Sequence, residues 1–552
     1  VVLAALVVLA LGRAAWLGRP VWLEPAADTR LRCLSYAPFR EPGTSPFHPA
    51  GRIEPARIEA DLRLLSTTTR CVRTYAVDMG LEAVPEAARR VGMTVILGAW
   101  IGRDRVANAA QVAQAAALAR AYPEVVHTVV VGNEVLLRRE LPESELRELL
   151  VAARAALPAG VRLTYADVWE FWLRHRSLLD AVDRVTVHLL PYWEDEPVGI
   201  ARAVGHVFDT LEHVRAELPG RDLLIGEVGW PSAGRARRDA VPGRVAQARF
   251  VREFTGEAAA RGVDYNLIEA FDQPWKRALE GAMGGAWGLF DRTGQPKFAL
   301  SGPVVERPDW RRELWAAAGG ALAGAGVLGW LARRSGRRVA AASAATTVAR
   351  AGAVRAAAVG ALAGAGLGAM ALEQARHLLT WNRWPLEWGA TLLATGAVWA
   401  FGGVAAWLIA RPGGPGHLPG AADAVAAGRR DPAAAAAAVL FAAVLFAAAV
   451  TMLLHAFDAR YRGIDWPLFA PAAAAAVLLA LAGARRADDA AEERLLAAVL
   501  AAGAAVMLVA ERPWNPQAVL YASLMLVLAA FAWPRASTSA PSSPPTAAGS
   551  GA

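Results

Sequence analysis

Two carboxylates stand out by type and setting. Glu227 lies in Gly226-Glu227-Val228-Gly229-Trp230-Pro231-Ser232, where it closes an apolar run from Asp222 to Ile225 and precedes a proline that turns the chain. Glu134 lies earlier, in Val129-Val130-Val131-Gly132-Asn133-Glu134-Val135, and repeats the device: a β-branched run, a glycine, then an acid. Two acids delivered by two strand ends are what cleavage of a glycosidic bond needs. One protonates the departing oxygen, and the other, about 5 Å away, attacks the anomeric carbon. We assign the acid/base role to Glu134 and the nucleophile role to Glu227. Asn133 is placed to hydrogen-bond a sugar hydroxyl beside the reacting carbon. Glu227 must stay ionised, whereas Glu134 must hold a proton near neutrality, so a raised pKa is expected for it. One acid at a strand end is ordinarily a solvated loop residue or an ion-pair partner; the matched pair is what argues for chemistry.

The elements that must position these acids read as eight β-rich runs: Leu31 to Phe39, Cys71 to Ala76, Thr94 to Trp100, His127 to Val135, Arg162 to Trp169, Arg184 to Trp193, Asp222 to Trp230 and Asp264 to Phe271. Amphipathic helical stretches separate them, among them Pro55 to Leu65, Val106 to Tyr122, Glu143 to Leu157, Val198 to Leu218 and Gly243 to Arg261. The alternation predicts an α/β fold, a (β/α)8 TIM barrel, whose active site lies at the carboxyl ends of the strands. Tyr36, Tyr75, Trp100, Trp169, Tyr192, Trp193, Trp230 and Trp275 fall at or just past those ends. Any one of them reads first as packing, but eight on one rim predict a groove in which aromatic faces stack on sugar rings. In the eighth run, Glu269, Asp272 and Lys276 are candidates for holding substrate hydroxyls or tuning the catalytic acids. His188 reads as a buried supporting histidine and not as a base.

Composition narrows the field. The 552 residues carry a formal charge of +8, but only Lys276 and Lys297 are lysines, and this arginine bias reads as the mark of a GC-rich bacterial genome. The placing of the arginines argues against nucleic acid as a partner. Two cysteines, Cys33 and Cys71, form no metal-ligand spacing, and we read them as buried free thiols in neighbouring strands, with a single bridge between them outside the cytoplasm as the alternative. Neither metal nor cofactor is expected, since a two-carboxylate mechanism needs none.

Together the fourth-strand Val-Gly-Asn-Glu, the seventh-strand Gly-Glu-Val-Gly-Trp-Pro-Ser, the eighth-strand Glu-Ala-Phe-Asp-Gln-Pro-Trp-Lys and the closing Trp287-Gly288-Leu289-Phe290-Asp291 resemble glycoside hydrolase family 17. The resemblance covers roughly residues 30 to 300. It implies a retaining enzyme acting on β-1,3-glucan, like the plant endoglucanases, fungal wall transglycosylases and bacterial membrane-bound forms of that family. Carried over by motif, Glu134 resembles the family's acid/base, Glu227 its nucleophile, and Glu269 with Lys276 its auxiliary polar pair.

Beyond Trp310 the text changes to alanine, leucine and valine in blocks long enough to cross a bilayer about 30 Å thick as helices. Spans are expected near 314–332, 356–372, 387–410, 433–455, 466–483, 495–510 and 518–533. The apolar start of the chain is either an anchor helix or the core of a signal sequence, and the anchor reading makes eight crossings. The expected division is thus 1–17 anchor, 28–305 catalytic barrel, 314–534 seven-helix transmembrane domain and 535–552 disordered tail. Alternating the loops puts Arg333, Arg334, Arg337, Arg338, Arg350, Arg355, Arg411, Arg429, Arg430, Arg485, Arg486, Arg494 and Arg535 on one side. Only Arg376, Arg383, Arg460, Arg462 and Arg512 fall on the other, so the first side is expected to be cytoplasmic and the barrel periplasmic or extracellular, on a plasma (inner) membrane. Three outer loops repeat Trp, Pro and Arg, around Trp384, Trp466 and Trp514. An interfacial aromatic belt accounts for them; a sharper reading has them face the barrel and hold glucan.

The leading expectation is a membrane-anchored β-1,3-glucan transglycosylase, with a glucan from a membrane synthase as one source of substrate. A hydrolase of the same family is the alternative. A sugar-binding component of a glucan exporter is a distant third, because the spans carry almost no charges to line a path.

Overall fold

The computed structural model describes residues 2–533, apart from 42, 48–51, 341–345, 412–413, 458–459, 487–489 and 513. The expected tail at 535–552 lies outside the described residues.

Eight short parallel strands close into a barrel in chain order. They are β1 (Leu34–Ser35), β2 (Cys71–Arg73), β3 (Thr94–Ala99), β4 (Val126–Asn133), β5 (Arg162–Val168), β6 (Val185–His188), β7 (Leu223–Val228) and β8 (Tyr265–Leu267), with β1 pairing to both β2 and β8. Seven lie within the runs expected for them, trimmed where the chain leaves the ladder, and β4 starts one residue before its run, at Val126. The strands are buried on both faces, as a barrel sheathed in helices requires, so they read as apolar runs without clean alternation. Helices Pro55–Leu65, Arg105–Ala121, Glu143–Ala156, Ile200–Glu217 and Arg244–Ala260 form much of that sheath. Asp104 starts one of them by accepting from the amides of Val106 and Ala107, at 2.9 and 3.1 Å. A two-stranded clasp, Pro20–Trp22 against Pro303–Val305, joins the two ends of the barrel segment.

The chain forms two compact units. The first holds Val1–Trp388 with two later connections, Ala459–Ile464 and Glu511–Gln517; the second holds Gly389–Asp458, Asp465–Ala510 and Ala518–Ala552. In the first unit, helices Arg311–Ala340 and Thr346–Trp381 cross where Gly320 and Gly324 meet Gly360 and Gly364, so that backbone touches backbone. The second unit is helical, built mainly from Pro432–Phe457, Trp466–Leu481, Ala491–Ala510 and Pro516–Ala532. Among the described residues, four helices are long and apolar enough to cross a membrane: Ala356–Trp381, Pro385–Ile409, Pro432–Phe457 and Ala491–Ala510. Val7–Leu17, Trp466–Leu481 and Pro516–Ala532 are apolar but shorter, and the expected span at 314–332 falls in Arg311–Ala340, which is not among the four.

One expectation is overturned. Cys33 and Cys71 are not free thiols but a disulfide. The register explains it: Leu34 pairs with Val72, so the preceding Cys33 lies opposite Cys71, and opposed residues of parallel neighbours point to the same face. The bridge closes a loop with a sequence separation of 38 between the first two barrel strands. Reducing it, or replacing Cys71 with Ser, is expected to lower stability by about 2–4 kcal/mol through the freer unfolded chain. Thermal unfolding with and without reductant checks this, and an unchanged midpoint would contradict it.

Candidate active site

The site is built where β2, β4, β6, β7 and β8 end. At the exit of β4, Gly132 and Glu134 both adopt left-handed backbone, with φ of +86° and +54°. A side-chain-bearing residue is uncommon there, and such strain gathers at functional sites. The Glu134 amide is held by the Ala166 carbonyl at 2.7 Å, which anchors the turn to β5. Glu134 thereby leaves the ladder and meets His188 at the end of β6, with Oε1 3.0 Å from Nδ1. The other imidazole nitrogen, Nε2, lies 3.7 Å from Glu227 Oε1. Donor atoms of Glu134, His188 and Glu227 all fall within 4.8 Å of one another.

Glu227, at 6% exposure, is set by β2. Tyr75 donates its hydroxyl to Glu227 Oε1 at 2.8 Å, and the Arg73 guanidinium lies 3.6 Å from the same oxygen. Arg73 also donates to the Gly226 carbonyl and to Asn133 Oδ1, both at 2.6 Å, so one buried cation ties both acidic exits together. Gly226 makes this possible. A Cβ there would collide with the Thr186 methyl and crowd the His188 ring at 3.1 Å and Arg73 at 3.3 Å, so a larger residue would disturb the groups around Glu227. Ser35 and Asn266 complete the base of the site: Asn266 donates to Ser35 Oγ at 2.7 Å, and Ser35 pairs with the Tyr75 hydroxyl at 2.8 Å. The three donors Glu134, His188 and Glu227 have the reach of a metal site, but Arg73 and Tyr75 already supply positive charge and a proton donor to Glu227.

The electrostatics correct one expectation. Burial raises the Glu134 pKa, but the hydrogen bond and charge of His188, with Arg138 and Arg73, outweigh it and hold the carboxyl below its usual value. Raised carboxyls surround it instead. Burial pushes Asp167 up to about 6, with Glu134 adding to the effect. Burial likewise lifts Glu269 and Glu280 to about 7. Burial works against the Lys276 ammonium, but Glu269 and Glu280 prevail and hold it at about 12.

The expected site residues separate into two groups. Asn133, Tyr75, Trp100, Trp193, Trp275, Glu269 and Lys276 gather with Glu134 and Glu227 at the strand ends, and the aromatic members are half-buried. Asn133 has its Oδ1 turned to Arg73, which leaves Nδ2 as its donor. Lys276 donates to Glu269 at 2.9 Å, while Glu269 Oε1 is buried without a protein partner among the described residues. Trp100 lies under the Arg138 guanidinium, 4.3 Å from its ring centre, and Trp275 meets Phe47 edge-on at 5.6 Å.

Tyr36, Tyr192 and Trp230 are a correction: all three are fully buried and stack on no sugar. Tyr36 bonds Asp61, Tyr192 bonds the Arg235 carbonyl and Trp230 bonds the Val241 carbonyl, so these rings pack the rim from within. Position past a strand end does not say which way a ring turns. Asp272 is committed too, accepting from Lys297 at 2.6 Å and from the Gly288 amide at 3.0 Å. Trp169 is half-buried against His213. Arg73 and Glu280 were missed. A charged residue inside the apolar run Cys71-Val-Arg-Thr-Tyr75 was the available signal for Arg73. Glu280, in a short helix past β8, had none.

The probable β-glucosidase btgE of Aspergillus fumigatus is 30% identical over 226 residues, 40% of this chain and 39% of that protein. The glucan 1,3-β-glucosidase of Arthroderma benhamiae is 28% identical over 275 residues, 46% of this chain and 87% of that protein. Among solved structures, an active-site mutant of Rhizomucor miehei β-1,3-glucanosyltransferase in complex with laminaritriose is 21% identical, covering 50% of this chain and 98% of that one, with a TM-score of 0.43. The chain spans about two fifths of the length of the btgE relatives. Residues 33–288, the barrel that carries Glu134 and Glu227, match the BtgE/BtgC glycoside hydrolase domain.

Proposed function

We propose that this protein is a membrane-anchored retaining β-1,3-glucan transglycosylase, with a catalytic barrel over 28–305 facing away from the cytoplasm and a membrane domain over 314–534. The observation that carries the reaction class is the approach of Glu134 and Glu227 oxygens to within 4.8 Å. That separation suits direct attack by one carboxylate, whereas an inverting enzyme needs about 6.5–9.5 Å to admit a water between them. The four apolar helices of spanning length and the arginine asymmetry of the loops support the anchoring and its direction.

In the first step Glu227 attacks the anomeric carbon and the Glu134 proton passes to the departing oxygen. The Tyr75 hydroxyl and the Arg73 guanidinium hold the attacking carboxylate in place. Because His188 favours ionised Glu134 in the free site, sugar binding has to raise its proton affinity so that it takes up a proton from solvent before the step. A glycan covering the pair strips water from it, which favours the neutral carboxyl. Esterifying Glu227 then removes the nearest negative charge, which makes it easier for Glu134 to stay ionised as the base for the second step. In that step a sugar hydroxyl attacks in transfer, or a water in hydrolysis. Hydrolysis is the second reading, supported by the glucosidase names of the relatives.

Incubating the detergent-solubilised chain with a β-1,3-linked oligosaccharide and following products by mass spectrometry tests the proposal. Products longer than the donor, absent from Glu227→Gln, are expected; shorter sugars alone would establish the hydrolase. Glu134→Gln is expected to lose about 10²–10⁴-fold in kcat on the oligosaccharide, and far less on an aryl β-glucoside whose phenolate leaves unprotonated. Equal losses on both would remove Glu134 from the acid role.

The raised carboxyls make a separate prediction about stability. Glu280 rises on folding from 4.5 to about 7, so its contribution is complete below 4.5 and is lost as pH climbs through 7. The melting temperature should therefore fall between about pH 5 and about pH 8, and fall less in Glu280→Gln. Parallel pH profiles would contradict this.

A further inference from the structure

The loop after β7, which follows the nucleophile, is not finished by the barrel. Arg235, 4% exposed, forms an ion pair with Glu511 and donates to the Arg462 carbonyl at 3.0 Å. The Arg238 amide donates to the same Glu511 carboxylate at 3.0 Å. Asn515 donates to the Ala236 carbonyl at 2.7 Å, and Gln517 both accepts from the Ala236 amide at 2.9 Å and donates to the Gly234 carbonyl at 3.2 Å. Backbone groups of this catalytic-rim loop thus find their partners in two distant connections of the same compact unit.

One of those connections also reaches the aromatic rim. The Tyr461 ring stands 5.7 Å from the Trp193 ring at 64°, and Arg460 donates to the Trp193 carbonyl at 3.2 Å. Trp193 stacks on Trp287 at 6.5 Å and 19°. Trp287 in turn packs against Gly229, where a Cβ would lie 3.4 Å from its ring, two residues beyond Glu227. On its other side the Tyr461 carbonyl presses on Gly281, next to Glu280. Tyr461 therefore bridges the loops that follow β6 and β8 across the mouth of the barrel, and its ring stays half-buried.

We propose that Tyr461 is a specificity-determining residue of the glucan groove: with Trp193 it forms an outer wall that takes the apolar face of a glucose unit away from the cleaved bond. This rests on the β-1,3-glucan reading above. The partly exposed phenol of Tyr461, edge-on to the partly exposed indole of Trp193, offers a surface for a pyranose ring, and buried Trp287, stacked on Trp193 and packed beside Gly229, braces that wall next to the catalytic cleft.

The test uses the full-length protein and the ratio of kcat/KM for laminarihexaose to that for laminaritriose. Tyr461→Ala is expected to lower the ratio about tenfold, the loss of one aromatic platform, while Tyr461→Phe keeps it near the wild-type value. Tyr461→Leu, which fills the same space without a flat face, is expected to behave like Ala and serves if the alanine variant does not fold. In the Glu227→Gln background, Tyr461→Ala is expected to weaken hexaose binding by a similar factor. An unchanged ratio, or an equal fall for both sugars, would overturn the inference while leaving the glucan reading intact. No turnover and no binding of either sugar by the parent proteins would overturn both.

Discussion

Two carboxylates held within 4.8 Å in a buried site repel each other, and the structure depends on how that repulsion is met. The answer is Arg73. Its guanidinium spans the exits of β4 and β7, bonding Asn133, the Gly226 carbonyl and the neighbourhood of Glu227 at once. A buried guanidinium needs several acceptors to offset its lost hydration, and the barrel supplies them where the acids sit. The cation and the acids thus justify one another. The lone glycine before Glu227, the left-handed turn at Glu134 and the burial of His188 all serve the same small volume.

The same economy recurs at β8. Both lysines of the chain are spent on acids past this strand, Lys276 on Glu269 and Lys297 on Asp272. Yet they do different work. Lys276 leaves one oxygen of Glu269 unpartnered beside the catalytic pair, whereas Lys297 binds Asp272 and Ser232 together and closes the rim. Two similar ion pairs thus differ only through what else each carboxylate accepts: one keeps an oxygen open and the other braces the rim.

Much of this was legible in the order of residues. Barrel strands advertise themselves as β-branched runs because both faces are buried, and a glycine close before an acid marks the exits of β4 and β7. The disulfide was misread because pairing depends on register, and a shift of one residue would have turned Cys33 from Cys71. The aromatic rim was half right. Trp100, Trp193 and Trp275 border the cleft, while Tyr36, Tyr192 and Trp230 turned inward, each because a buried acceptor lay within reach of its polar atom.

The amino-acid order by itself determined the barrel and the apolar helices that follow, and it singled out the two acids at the strand ends, because periodicity and strand-end residue type are local properties. Tertiary structure alone decided the state of Glu134, which depends on a histidine two strands away, and the membership of Arg73 in the site. It also decided that Glu511, Asn515 and Tyr461, hundreds of residues beyond the nucleophile, complete the rim around it. Charge and hydrogen bonding act through space, and chain separation carries no record of which distant groups will meet.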